Sequence, residues 1–428
     1  MTEFVRHSTT TSETDVTPTS SSASTPRAVR GAVLLALATV ALSACASNAA
    51  QDTWQPAGPD AQKIHNLQWP IFLIAGIVGV IVFAAVMFCV VRFKDRGQPI
   101  PEQSHGKTWL EIIFIIIPAV MLAAIAVPTV ATVMALNKTD DADCIINVTG
   151  NQWWWEFDYP VDANGMICGY MPAGEAAPIV TSGQVVIPVD ATVVIRGTSR
   201  DVIHSFWIPK LNGKRDMVPG RVHTWRLEAS QAGLFAGQCA EFCGLSHANM
   251  RMEVAALQPD DFQTWLDNQL EPYAAPAEGT LAATGEQTFI AQCARCHQID
   301  GLTDTEGELV ISSPEQFVYS GAAPNLTNFA TRNTFAGASW DLLNEDCRQD
   351  VWDASPEEFG EKYLAGVTVD CLNEIDLKEW LRDAPAKKPM YTDPALLDDT
   401  NGMTRGMPNL ELSEDQINEL VAYLLERK

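Results

Sequence analysis

Two stretches near the N-terminus abandon any polar–apolar alternation. WPIFLIAGIVGVIVFAAVMFCVV (residues 69–91) and IIFIIIPAVMLAAIAVPTVATVMAL (residues 112–136) contain no charged residue. Each is long enough to cross roughly 30 Å of hydrocarbon as a helix, so together they predict a transmembrane helical hairpin over 65–137. The loop between them holds Arg92, Lys94, Arg96 and Lys107, which the positive-inside rule assigns to the cytoplasm. Beyond the hairpin the period changes to two. CIINVTGNQWWWEFDYP, GQVVIPVDATVVIRG and RVHTWRLEA alternate apolar with polar residues, are rich in Val, Ile, Thr and Trp, and are punctuated by Gly and Pro. They predict an antiparallel β-sandwich or barrel over about 141–257. DDFQTWLDNQL has helical spacing and closes that domain, and APAEGTLAATG reads as a flexible linker. The remainder is mostly α: SPEEFGEKYLAG, NEIDLKEWLRD and LSEDQINELVAYLLERK all have helical spacing, the last with a serine N-cap and acids in its first turn.

Charge narrows the partners. The 428 residues carry a formal net charge of −25, which argues against nucleic acid. From residue 273 onward there are 28 Asp and Glu against 11 Lys and Arg, so this end should repel acidic surfaces and suit a basic or membrane-held partner. The first 26 residues are Ser/Thr-rich without apolar period and read as disordered. Arg27 and Arg30 then precede GAVLLALATVALSAC, a secretory signal over 1–44. Its LSAC ending resembles a lipobox, which would make Cys45 a lipid anchor. An extracytoplasmic linker over 45–64 would follow.

The most specific motif is CARCH, Cys293 to His297, the spacing of c-type haem attachment. Two thiols add across the haem vinyl groups and the adjacent imidazole reaches the iron. A redox dithiol would be expected in a βαβ context, and a zinc site would need a second ligand pair nearby; neither pattern is present. For the sixth ligand a thioether would close the iron to small molecules, with Met390, Met403 and Met407 as candidates. Met407, in GMPNLELS just before the last helix, resembles the Met-Pro loop of cytochrome c domains. Pro324 resembles the proline that supports the haem-ligating histidine there.

The second cluster is GQCAEFCGLSHANM (residues 237–250). A disulfide is the plain reading in an oxidising compartment, and zinc rarely takes methionine. A blue-copper site uses one Cys, a downstream His, an upstream His and a weak axial Met. Cys239, His247, His204 in DVIHSFWIP and Met250 supply those, and Cys243 is extra. Two thiolates can bridge two copper ions, each taking one imidazole; Met250 would bind one copper weakly and the Glu241 carbonyl the other. Sharing one electron over both metals lets little rearrange on transfer, and no position is open for substrate.

Together the hairpin, GNQWWWEFDYP, DVIHSFWIPKLNGKRDMVPGR, the C-x-E-x-C-G-x-x-H-x-x-M run and CARCH make residues 65–428 resemble subunit II of a haem–copper cytochrome c oxidase with a cytochrome c domain fused at its C-terminus. The resemblance implies a cupredoxin-like CuA domain over 138–272, a linker over 273–283, and a mostly α class I cytochrome c domain over 284–428. It implies a dinuclear CuA centre held by His204, Cys239, Cys243, His247, Met250 and the Glu241 carbonyl. It gives the Glu241 carboxylate to a magnesium ion shared with subunit I. Trp153 becomes the tryptophan through which electrons enter, and Glu111, at the start of the second helix, the mouth of a proton path. The implied partners are subunits I and III and an upstream cytochrome c or cytochrome bc-type complex. The implied location is a bacterial plasma membrane, crossed twice, with both soluble domains outside. Two motifs depart from the family: QWWW lacks a central tyrosine, and EIIF lacks the usual tryptophan. The haem segment carries an acidic insert whose Cys347 and Cys371 could form a disulfide, as could Cys144 and Cys168. A CuA subunit of a nitric oxide or nitrous oxide reductase, or a stand-alone membrane electron carrier, would share parts of this pattern.

Overall fold

A computed structural model describes residues 49–99, 102, 105–140, 142–303, 323–392 and 405–428. The signal segment, Cys45 and Met403 lie outside the described residues.

Two long apolar helices come first. Helix α1 (Pro59–Arg92) and helix α2 (Thr108–Leu136) leave their apolar side chains largely exposed, as lipid-facing helices must. Helix α1 begins before the boundary expected at 65, which shortens the linker reading of 45–64. Gly58 sits at its N-cap and Pro59 occupies the first turn, where a missing N–H costs nothing. The polar opening turn is held from outside the helix. Asp60 is buried, with Arg226 and Lys63 each 2.8 Å from its carboxylate, and Asn212 donates to it at 3.4 Å. One ion cluster thus ties the helix start to the β domain. Glu111 lies exposed in the first turn of α2.

The β domain is a two-sheet sandwich of cupredoxin type. Its strands are β1 (Cys144–Asn151), β2 (Trp154–Tyr159), β3 (Ile179–Ser182), β4 (Gln184–Pro188), β5 (Val193–Ser199), β6 (His204–Trp207), β7 (Arg215–Met217), β8 (His223–Leu227), β9 (Gly233–Cys239) and β10 (Arg251–Leu257). One sheet runs β3-β2-β1-β5-β8 and the other β4-β10-β9-β6-β7. Pairing is antiparallel except for β1 with β5 and β10 with β4, so the expectation of a wholly antiparallel domain is corrected at these two pairs. Long connections between β1 and β5, and between β4 and β10, permit parallel neighbours. The inward residues Trp155, Phe157, Phe206 and Trp225 fill the space between the sheets. Tyr159 reaches across it, donating to the Val186 carbonyl at 2.9 Å and accepting from its N–H at 2.7 Å. A disulfide joins Cys144 to Cys168. Helix α3 (Pro259–Gln269) closes the domain.

The C-terminal region is mostly helical: α4 (Leu281–Gln292), α5 (Glu345–Trp352), α6 (Phe359–Leu364), α7 (Glu374–Arg382), α8 (Ala384–Lys387) and α9 (Glu414–Leu425), with a two-strand ribbon at Thr334–Phe335 and Trp340–Asp341. Helices α4 and α9 cross closely because Gly285 has no side chain; a Cβ there would overlap the Glu419 carbonyl. Phe289 and Tyr423 pack across the crossing with ring centroids 5.5 Å apart. Ser413 and Gln416 form a reciprocal capping box on α9. Cys347 and Cys371 are bonded and staple the acidic insert.

Candidate metal centre and adjoining cavity

The ends of two neighbouring strands and one loop create the first site. His204 opens β6, Cys239 ends β9, and these strands pair through Phe206 and Cys239. The loop after β9 then brings Cys243, His247 and Met250 back over the sandwich end. The two sulfurs lie 3.8 Å apart, far beyond the ~2.05 Å of a disulfide. Each sulfur has its own imidazole: His204 Nδ1 is 3.9 Å from Cys239 Sγ, and His247 Nδ1 is 3.4 Å from Cys243 Sγ. Each also has a weaker donor beside it, the Glu241 carbonyl 3.2 Å from Cys239 Sγ and Met250 Sδ 3.8 Å from Cys243 Sγ. The result is a near-symmetric pair of donor sets sharing two sulfurs. The contact with Cys243, helped by His204, lowers Cys239 to about 4, while the contact with Cys239 and burial push Cys243 up. His204, Cys239 and Cys243 are buried together.

The surroundings orient these ligands. Asp201 accepts from His204 Nε2 at 2.8 Å, which turns Nδ1 toward the sulfurs, the usual role of a carboxylate behind a metal-bound histidine. Burial disfavours the Asp201 charge, but His204 and the Gln152 and Val202 N–H groups outweigh it and lower its pKa. Gly150 leaves room for the ring, since a Cβ there would come within 2.8 Å of the imidazole. Glu241 carries its carboxylate exposed while its carbonyl faces Cys239.

Trp153 is buried, at 2% exposure, and its Nε1 donates to the Cys243 carbonyl at 3.1 Å. What covers it is the C-terminal region: Tyr391 packs on the ring at 5.1 Å between centroids, and Ser246 donates to the Pro389 carbonyl at 2.5 Å.

A cavity of 1080 Å³ lies between the sandwich end and the C-terminal helices. Cys293, Cys296, His297, Pro324, Met390 and Met407 all line it. The turn after α4 sets the motif, with Cys296 N and His297 N both donating to the Cys293 carbonyl. His297 Nδ1 donates to the Pro324 carbonyl at 2.7 Å, leaving Nε2 as the available ligand atom. Burial lowers its pKa and favours the neutral ring that binds metals. Burial also raises both thiols, Cys293 to about 12, whereas a redox dithiol needs a lowered one. These residues fit a haem joined through two thioethers. Met390 and Met407 share the wall.

Fold and site define a membrane-anchored, cupredoxin-like protein with a paired-sulfur metal-binding site. Residues 144–257 match the family model described as cytochrome C oxidase subunit II, periplasmic domain, and residues 46–132 match the corresponding transmembrane domain. A protein of Alkalihalophilus pseudofirmus named cytochrome c oxidase subunit 2 is 35% identical over 337 residues, covering 76% of this chain and 87% of the relative. One of the same name from Bacillus subtilis is 29% identical over 411 residues, covering 92% and 96%. The crystal structure of the periplasmic domain of subunit II of the cytochrome oxidase of Bradyrhizobium japonicum is 28% identical, covers 30% of this chain and 95% of that one, and has a TM-score of 0.26. The chain belongs to the cytochrome c oxidase subunit II family.

Sequence reasoning missed Asp201, Lys388 and Arg405. Asp201 stands three residues before His204, a spacing that hints at its role. Lys388 and Arg405 reach the site only through contacts more than two hundred residues away in sequence.

Proposed function

We propose that this chain accepts electrons for a respiratory haem–copper oxidase and passes them, from a c-type haem through a dinuclear CuA centre, to a subunit I that reduces dioxygen and pumps protons. The observation that carries the reading is the pairing of two unbonded sulfurs, 3.8 Å apart, each with its own imidazole. A mononuclear blue-copper site would use both histidines but has no use for the second cysteine sulfur in this arrangement.

Each side chain has an assigned task. Cys239, Cys243, His204, His247, Met250 and the Glu241 carbonyl would hold the two coppers, the cysteines as shared sulfur donors and one histidine for each metal. When bound, such a pair holds one delocalised electron. Asp201 fixes the His204 ring, and the buried site keeps water away, so little has to move on transfer. Cys293 and Cys296 would tether a haem, and His297 and Met407 would supply its iron ligands. Trp153 bridges the two halves, its ring on Tyr391 and its N–H on the Cys243 carbonyl. The exposed Glu241 carboxylate, beside exposed Phe242 and Leu245, would hold a magnesium ion shared with subunit I. Glu111 accepts protons at the cytoplasmic start of α2. Both helices cross a bacterial plasma membrane and place both soluble domains outside. Cys45 adds a lipid anchor, and subunit III and an upstream cytochrome c or bc-type complex complete the chain of partners.

The test is affinity purification of the full-length chain from mild-detergent extracts of its own membranes. Co-purification of a haem–copper subunit with cyanide-sensitive oxygen uptake is expected. A chain that purifies without such a subunit would instead be a stand-alone carrier.

A further inference from the structure

Lys388 is a buried cation without an acidic partner among the described residues. It is 3% exposed. Its Nζ donates to the Trp153 carbonyl at 2.8 Å and to the Ala336 carbonyl at 2.7 Å. An ammonium has three donors, so one N–H and the full charge stay uncommitted, and the residue lines the 1080 Å³ cavity. Burial pushes its pKa down to about 7, so the charge is only marginally held near neutrality by its present neighbours. A buried charge is normally retained by pairing.

The nearby charges offer no such pair. Asp201, on the same wall, is already committed to His204, to Gln152 N and, through Oδ2, to Arg405 Nη1 at 3.2 Å. Arg200 also lines the cavity and lies 3.9 Å from Glu156. Arg332, from the segment following Pro324, is a further buried cation there. In a chain of net charge −25, this wall is cationic. Gln152 N is bound by the Asp201–Arg405 pair, and the next carbonyl, that of Trp153, by Lys388. Both cations therefore flank one short backbone segment at the edge of the metal site.

We propose that Lys388 is an anion-binding positioning residue: it takes a carboxylate of the group bound in the cavity and fixes it against the Trp153 peptide. The proposal rests on the reading of the cavity as a haem site. A haem attached through its vinyl groups keeps two carboxylates, which supply the missing anion. One side chain then touches both the acid edge of that group and the backbone of the residue whose ring is bonded to Cys243.

The experiment is a redox titration of the full-length chain in detergent, following the haem absorption across the neutral pH range. Lys388→Gln keeps donors for both carbonyls and removes the charge, and Lys388→Arg keeps the charge. The glutamine variant is expected to retain covalent haem and to bind the electron at least tenfold less favourably, a fall of about 59 mV for a one-electron couple. Its potential should also gain a pH dependence as the released carboxylate titrates. The arginine variant should stay near wild type. A glutamine variant with the wild-type potential and pH profile would overturn the proposal. Should that variant fail to fold, redox-difference infrared spectra of wild type and Lys388→Arg decide instead: haem-carboxylate bands that shift support the contact, and unmoved bands overturn it. Absence of covalent haem from the wild type, read in alkaline pyridine, would reject the haem reading itself and is scored separately.

Discussion

Replacing Asp201 by asparagine isolates what the carboxylate does behind the metal site. Its two oxygens serve His204 Nε2 at 2.8 Å, the N–H groups of Gln152 and Val202 at 2.7 Å each, and Arg405 Nη1 at 3.2 Å. Asparagine retains one acceptor oxygen, enough for His204 and Val202. Its NH2 then faces the Gln152 N–H and Arg405, which are donors themselves. Two part-buried donors lose their acceptor; Arg405, 21% exposed, can turn to water, so the folded chain should lose about 1–3 kcal/mol. The ring of His204 is also less firmly held, and losing such a support typically weakens metal binding about 10–100-fold. The assay is competition with a copper chelator, following the visible absorption of the centre, alongside thermal unfolding of the full-length chain. Asp201→Ala should be worse on both measures, because it orphans His204 as well. Wild-type copper affinity and melting in Asp201→Asn would refute the reasoning.

Three further outcomes follow from the geometry. Gly285→Ala places a Cβ against the immovable Glu419 carbonyl and should destabilise the α4–α9 crossing by about 1–3 kcal/mol; haem content of the purified chain should fall, and copper content should not. Glu253, bonded to Gln184 at 3.0 Å, is pushed by burial from 4.5 up to about 8. The folded chain therefore keeps a proton that the unfolded chain releases, so this group's stabilising contribution, full below 4.5, is lost as the pH rises to about 8. Glu253→Gln should flatten that part of the stability–pH curve in thermal melts. Replacing Cys347 and Cys371 together by serine opens a loop with a sequence separation of 24 and should cost about 3 kcal/mol, read as a lower unfolding temperature whose remaining response to reductant is that of Cys144–Cys168 alone.

Local patterns carried much of this architecture. The hairpin was legible because uninterrupted apolar runs have few other uses, and the strands because residues such as those of β1 alternate in burial. The spacing of Cys239, Cys243, His247 and Met250 announced a metal site, since the end of β9 and the loop after it carry all four. Its final shape needed His204, which the fold supplies by pairing β6 with β9. The early start of α1 was hidden because its first turn is polar; buried Asp60 is met there by Arg226 and Asn212, far along the chain, as well as by Lys63. The burial of Trp153 was equally hidden. It depends on Tyr391 and Lys388 folding back from the C-terminal region, and no periodicity in GNQWWW records that contact. The parallel strand pairs escaped notice for a similar reason, as alternation reveals which face of a strand is buried but not which neighbour lies beside it.

The most direct test of the central claim is metal analysis combined with electron paramagnetic resonance on the purified, oxidised full-length chain. The account predicts two coppers and one covalent haem per chain, with a copper signal split by two equivalent nuclei. A single copper with an intense blue band, or sulfurs of Cys239 and Cys243 found bonded to each other, would contradict it.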